Sequence, residues 1–330
     1  MAITLQDINA LRQKTQAGLM DCKKALTEAN GDMEVAMEIL RKKGQLVAAK
    51  RSDREASEGC VLARVDGNFG ALLALKCETD FVAKNADFVA LTNKIMDAAM
   101  AAHCKTLDEV KALDIDGQTA ADAVTERSGV TGEKMELDGY ATVEGEKVVA
   151  YNHMSQNFLC TLVAFNKDCD EEVAKGVAMQ VAAMAPVALD QAHVSEEMKA
   201  AELKAAVDKT IEDQVKKAVE NALQKKGFNL YIAENEEHIN EGIMKGNITE
   251  AQAQEIRELK EKVDADTRAT LPQERINMIA QGRLSKFFKE SCLLEQAYID
   301  DNKVSVAQYL QKADKELTVV DFKRYNLRAE

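Results

Sequence analysis

The sequence is short of proline, with two in 330 residues; it has no tryptophan, and its aromatics stop at nine Phe and six Tyr. A chain so poor in helix breakers and rich in Ala, Glu, Lys and Leu is predicted to be mainly helical, with length for two or three domains. No CxxC pair occurs among the seven cysteines (Cys22, Cys60, Cys77, Cys104, Cys160, Cys169 and Cys292). Their odd number and apolar surroundings fit a reducing compartment, with the thiols serving as small core residues rather than as zinc ligands. The first segment, MAITLQDINALRQKT, lacks the apolar run of a signal peptide, and no later stretch is long and apolar enough to span a bilayer. A soluble, cytoplasmic protein without membrane contact is expected.

Motifs for chemistry are missing as well. There is no GxxxxGK[ST] phosphate loop, GxGxxG turn, HExxH pair or GxSxG elbow. Asp114-Ile115-Asp116-Gly117 has the look of a calcium loop, but Ala112 and Ala123 stand where its first and last carboxylates would be. The histidines, His103, His153, His193 and His238, are scattered. No catalytic residue, metal site or cofactor is therefore expected, and the chain reads as a binding protein rather than an enzyme. Positive charge is also scarce. The formal net charge is -13, which a nucleic-acid backbone would repel, so direct nucleic-acid binding is not expected. Residues 1–54 run against this trend, with ten Lys/Arg against seven Asp/Glu, while the remainder has 33 against 49. Such a locally basic arm suits an acidic protein surface.

What is present is periodicity. Thr4 and Asp7 form a capping box before a helix carrying Leu5, Ile8 and Leu11. A second helix is predicted over 20–29, and after Asn30-Gly31-Asp32 a third with Met33, Val35, Ala36, Ile39 and Leu40 inward. The basic stretch from Arg41 to Arg54 reads as a helix end running into a linker. Val61, Ala63 and Val65, a turn at Asp66-Gly67-Asn68, and Ala71, Leu73, Leu75 and Cys77 alternate as a hairpin. A helix over 86–102 follows, with Phe88, Leu91, Ile95 and Ala99 spaced for burial. The order recurs with strands at 148–152 and 157–166 and a helix over 170–185. Two apolar stripes then describe a helical hairpin: Val207, Ile211, Val215, Ala218 and Leu223, and Ile248, Ile256, Leu259 and Val263. A helix over 271–289 and a strand over 316–325 close the chain. The expected architecture is α+β: a three-helix N-terminal module with linker (1–54), a duplicated antiparallel β-β-α core (55–140, and 141–194 with 271–330), and a protruding hairpin (195–270).

One loop stands out. Thr79-Asp80-Phe81-Val82-Ala83-Lys84-Asn85 lies between a predicted strand and a predicted helix, where loops are exposed and commonly functional. Its Phe81 either meets a partner or folds back on the helix as a hydrophobic staple, with Asp80 or Asn85 as cap.

Four segments resemble bacterial translation elongation factor Ts: RQKTQAGLMDCKKALTEANG (12–31), CETDFVAKN (77–85), AMQVAAMAP (178–186) and GRLSKFFKE (282–290). They fall in the family's order and span nearly the whole chain. The resemblance implies a guanine-nucleotide exchange factor acting on the GTPase elongation factor Tu. It implies a ubiquitin-associated-like N-terminal module that docks on the partner's nucleotide-binding domain, with Arg12, Leu19 and Met20 at the contact. Asp80 and Phe81, within Thr79–Asn85, match the pair that enters the partner near its magnesium-binding region. His153, Tyr298 and Ile299 match positions that touch its other end. The hairpin resembles the family's coiled-coil protrusion, associated with homodimer contacts in some members. The stretch 205–266 is longer than in the shorter members, and no sequence for a further C-terminal helix is expected after the last strand. A binding adaptor without exchange activity is the competing reading, and an enzyme the least supported.

Overall fold

The structure is a computed structural model that describes residues 3–15 and 17–328; Gln16, inside the 12–31 segment, lies outside them. It forms two compact units. One holds the chain up to Leu189 and from Ala297 onward, the other Asp190–Gln296.

The first unit starts with α1 (Leu5–Thr15), α2 (Leu19–Glu28) and α3 (Met33–Lys50). The N-terminus of α1 is capped reciprocally, as Thr4 and Asp7 predict: Asp7 Oδ2 accepts the Thr4 N–H at 2.9 Å and Thr4 Oγ1 accepts the Asp7 N–H at 3.2 Å. Asp32 Oδ1 caps α3 through the Glu34 and Val35 N–H groups. Ile8, Leu11, Cys22, Ala25, Leu26 and Ala36 make the small core of these helices. α3 continues through most of the basic stretch before the chain turns at Arg51–Arg54.

β1 (Glu58–Asp66) and β2 (Phe69–Cys77) form the expected hairpin, followed by the one-turn α4 (Asp80–Ala83) and by α5 (Ala86–Ala101). Next come α6 (Leu107–Ala112), a ribbon of β3 (Asp114–Ile115) and β4 (Gln118–Thr119), α7 (Ala120–Thr131) and β5 (Met135–Glu144). The Asp114–Gly117 segment is the turn of this ribbon, with Asp114 Oδ1 accepting the Gly117 N–H. The second sheet begins with β6 (Lys147–Asn152) and β7 (Leu159–Phe165), backed by α8 (Glu171–Met184). The sheets are antiparallel, ordered β1-β2-β5 and, with the last strand β10 (Val319–Asn326) from the C-terminus, β10-β7-β6.

These sheets face each other. Ala71, Leu73, Leu75 and Cys77 of β2 join Phe88, Ile95, Met96 and Ala99 of α5, while Leu72 and Ala74 pack against Val148, Cys160, Leu162 and Ala164. The register pairs Val61 with Ala74 and Leu62 with Leu73, so Val61 and Ala63 point toward the second sheet and not toward α5. β2 is buried on both faces, which erases the inside–outside alternation on which a sequence reading depends. The order of layers is helix, sheet, sheet, helix, the last being α8, whose Ala178 carbonyl accepts the Thr161 hydroxyl at 3.0 Å.

The second unit contains α9 (Glu196–Lys225), α10 (Leu230–Ala233), α11 (Glu236–Met244), α12 (Glu250–Thr270) and α13 (Gln273–Ser291). α12 runs antiparallel to α9, with Lys226 and Glu255 paired at 2.7 Å near one end, where Leu223 of α9, Ala253 and Ile256 of α12, and Ala233 and Ile239 of the connecting α10 and α11 form one core. Pro272 is the N-cap of α13, and its ring disfavours helical geometry at the preceding Leu271, which is extended and ends α12. α13 then lies against the earlier part of α9, where Arg283 pairs with Asp213. The chain returns to the first unit with β8 (Ala297–Tyr298), β9 (Asp301–Ser305), α14 (Val306–Ala313) and β10 (Val319–Asn326). No helix of the described residues is long and apolar enough to cross a membrane. All seven cysteines are free; six are buried and Cys169 is partly exposed.

α3 and α7 cross at Gly44 and Gly129. A Cβ on Gly129 would sit 2.3 Å from the Gly44 Cα, a backbone atom that cannot swing aside. Inside an isolated helix Gly→Ala stabilises by about 1 kcal/mol. Here Gly129→Ala is expected to destabilise by about 1–3 kcal/mol through overpacking. A lower melting temperature and faster tryptic cleavage between Arg41 and Arg54 would register it; an unchanged or raised melting temperature would mean that the two helices do not pack this closely.

Candidate functional site

β2 ends at Cys77, opposite Met135 of β5. Beyond that pair, side-chain carboxylates continue the ladder in place of carbonyls. Glu78 Oε1 accepts the Lys134 N–H at 2.6 Å. In the reverse direction, the Thr79 N–H donates to Glu133 Oε2 at 3.1 Å and the Thr79 hydroxyl to Glu133 Oε1 at 2.7 Å. Glu78 also receives Arg51 at 3.0 Å and Arg54 at 2.8 Å, two groups from the turn after α3. Partial burial by itself would raise the pKa of Glu78; the Lys134 N–H and the two guanidiniums outweigh it and hold the carboxyl at about 2.

Thr79 is extended (φ -126°, ψ 154°), and its hydroxyl oxygen accepts the Val82 N–H at 3.4 Å, making it the N-cap of α4. Val82 and Ala83 settle on the core formed by β2 and α5. Because neighbours on a helix point about 100° apart, Phe81 is left facing outward, 84% exposed. The staple alternative is thereby excluded: the ring does not return to α5. Asp80 carries an exposed ion pair to Lys84 at 2.7 Å, and the Lys84 ammonium lowers its pKa, keeping it a carboxylate. Asn85 closes the segment as the N-cap of α5, its Oδ1 accepting the N–H groups of Asp87 at 2.9 Å and Phe88 at 3.4 Å. The same oxygen accepts Arg127 Nη2 at 3.0 Å, from the buried side chain of α7 that also pairs with Asp87 at 2.8 Å. A half-exposed turn is thus held at both ends, with a large apolar ring and an anion displayed between.

The other expected contact residues lie elsewhere in the first unit. Arg12 is exposed on α1; Leu19 and Met20 open α2 and are 40% and 60% exposed. His153 is half-buried at the bend after β6, its Nδ1 3.2 Å from the Tyr151 hydroxyl and its ring edge-on to Phe158. The neighbouring Met154 takes a left-handed φ of 51° and is exposed. Tyr298 is buried and stacked on Tyr309 with ring centroids 3.9 Å apart, so its burial pushes the phenol pKa up and leaves the ring inaccessible. Ile299 beside it is exposed, fixed by Gln180, which donates to the Ala297 carbonyl at 3.1 Å and accepts the Ile299 N–H at 2.8 Å. Sequence reasoning passed over Glu78, Arg127, Glu133 and Lys134. Glu78 lies inside the CETDFVAKN segment but was given no role there, and Glu133 needed a strand pairing that no local pattern announces.

The depressed pKa of Glu78 has a direction for stability. A folded value of about 2 against an ordinary 4.5 means that the carboxylate stabilises the fold above pH 4.5 and loses that contribution as the pH falls toward 2. Glu78→Gln is expected to lower the melting temperature at neutral pH and to flatten the acid limb over that window. Thermal melts across the pH series check this; parallel acid limbs for both proteins would show that the carboxylate contributes nothing.

The family model described as elongation factor TS matches residues 78–329. The chain is similar to elongation factor Ts of Phocaeicola vulgatus, at 59% identity over 330 residues and the full length of both chains. It is 57% identical to that of Bacteroides fragilis and 42% identical to that of Porphyromonas gingivalis, again over the full length of both chains. With an aligned family region that starts at the carboxylate clasp and relatives matched end to end, the chain belongs to the elongation factor Ts family.

Proposed function

We propose that this chain is a guanine-nucleotide exchange factor that binds elongation factor Tu carrying GDP and promotes GDP release during translation elongation in the cytoplasm. The observation that carries the mechanism is Phe81: a ring 84% exposed on a turn whose two ends are pinned. The turn inserts Phe81 and Asp80 beside the partner's magnesium and phosphate site. Burying the ring in an apolar slot there supplies roughly 1.5–3 kcal/mol. The Asp80 carboxylate, paired with the exposed Lys84, exchanges that weak pair for the partner's cation or repels the phosphates.

Exchange then follows from negative coupling. A factor that binds the nucleotide-free partner more tightly than the nucleotide-bound one weakens nucleotide by the same free energy. Each tenfold loss of nucleotide affinity requires about 1.4 kcal/mol of such difference, so Phe81 alone accounts for one to two decades. No bond is made or broken by this chain, and it needs no cofactor. GDP leaves, GTP refills the site from solution, and its binding expels the factor.

The remaining surface provides affinity. Helices α1–α3 act as the ubiquitin-associated-like module of residues 1–54, with Arg12, Leu19 and Met20 against the partner's nucleotide-binding domain. His153 and Ile299 engage the partner's other end, while Tyr298 acts from within by supporting Ile299. α9 and α12 form the coiled-coil hairpin of 195–270, the element suited to a homodimer contact.

Phe81→Ala tests the central step. Release of a fluorescent GDP analogue from purified elongation factor Tu, at saturating factor, should slow by about 10- to 100-fold, the span that roughly 1.5–3 kcal/mol of lost burial gives. Equal stimulation by both proteins would overturn the role of Phe81. Complex formation by the unaltered chain with no acceleration of release would favour an adaptor instead.

A further inference from the structure

Phe81 is displayed by one turn of helix, and one turn does not stand alone: a single hydrogen-bonded turn fixes several dihedrals for little return. Something outside α4 has to hold it. Its N-cap Thr79 has a hydroxyl that must point its oxygen toward the Val82 N–H, which is possible only if the hydroxyl proton goes elsewhere. It goes to Glu133 Oε1 at 2.7 Å, and the other oxygen of the same carboxylate takes the Thr79 N–H at 3.1 Å. One side chain therefore fixes both the backbone and the hydroxyl of the capping residue. Hydrogen bonds to a carboxylate are the stronger kind, so the cap is set with some rigidity.

Glu133 is itself held. Its carbonyl accepts the Ser128 hydroxyl, and its N–H donates to Thr131 Oγ1 at 3.3 Å, both from the last turns of α7. α7 ends with Gly132 in the left-handed conformation at φ 73°, which turns the chain so that Glu133 faces Thr79. Position is transmitted from α7 to Glu133, from Glu133 to Thr79, and from Thr79 to the turn that displays Phe81.

We infer that Glu133 is a positioning residue for exchange, fixing the Thr79 cap so that α4 presents Phe81 in the conformation that enters the partner. The inference rests on the proposed insertion of Phe81 and adds to it the residue that makes insertion efficient. Glu133 is half-buried and touches neither nucleotide nor metal in this role; it acts only through Thr79 and Phe81. Freed of it, the turn samples other conformations, and the competent fraction falls.

A double-mutant cycle with elongation factor Tu and a fluorescent GDP analogue tests this. Glu133→Ala should lower the release rate at saturating factor by about tenfold, the factor that corresponds to about 1.4 kcal/mol. The half-saturating concentration should change little, because the other contact residues remain. Glu133→Gln, which keeps an acceptor for one of the two Thr79 donors, should fall between. In the Phe81→Ala background, Glu133→Ala should add little further loss, because its effect runs through the ring. Normal exchange by Glu133→Ala, with Phe81→Ala slow, would overturn the positioning role and leave the insertion standing. Full additivity of the two substitutions would overturn it too, since Glu133 would then act by another route. Normal exchange by Phe81→Ala would instead remove the insertion itself. If Glu133→Ala does not fold, the cycle is run with Glu133→Gln, and the same additivity decides.

Discussion

β2 has no exposed face, and the first unit is arranged around that constraint. One side of the strand meets α5 and the other meets the second sheet, so the strand cannot slip by a residue without turning both sets of side chains the wrong way. Its last residue is consequently fixed in all directions, and so is the point from which the chain leaves for α4. The carboxylate clasp continues this order by two residues past the end of the ladder, where backbone pairing has stopped. A surface turn carrying an exposed phenylalanine can be well defined here because it starts from a deeply buried strand and returns to a capped helix.

The N-terminal helices reach the same place by a second route. α3 lies across α7 with glycine against glycine, a separation that no side chain could occupy. The turn after α3 delivers Arg51 and Arg54 to Glu78, and α7 leads into Glu133 and contributes Arg127. The helices at the start of the chain and the turn that displays Phe81 are therefore joined through α7 and through Glu78. In energetic terms these contacts are not independent, so substitutions among them will not simply add.

The sequence made part of this legible. The Thr4–Asp7 cap, the β1–β2 hairpin and the helix after it followed from residue chemistry and spacing, since each is decided by neighbours in the chain. The Thr79–Asn85 loop was another matter. Local physics favoured a staple over a contact surface, and the resemblance to a known family reversed that preference before the outward ring excluded the staple. β5 and α7 left no comparable trace: β5 mixes Gly139, Asp138 and Glu136 with its apolar residues, and α7 is a short helix with Ser128 and Gly129 near its end. Missing them hid Glu133 and Arg127, whose meaning depends on a partner more than forty positions away. The faces of β1 were also unreadable, because a sheet covered on both sides needs no polar residue to mark which way is out.

The buried cysteines have a consequence of a different kind. Desolvation pushes the thiols of Cys60 and Cys292 to about 11 and those of Cys77 and Cys160 to about 12, so almost none is thiolate at neutral pH while the protein is closed. They are spread through the structure: Cys22 among the N-terminal helices, Cys60 and Cys77 on the first sheet, Cys160 on the second, Cys292 after α13. The N-terminal helices, the two sheets and the end of the second unit thus each contain a native reporter of local opening. The order in which these thiols become alkylated under mild denaturant would rank those regions by their opening free energies, with no label introduced.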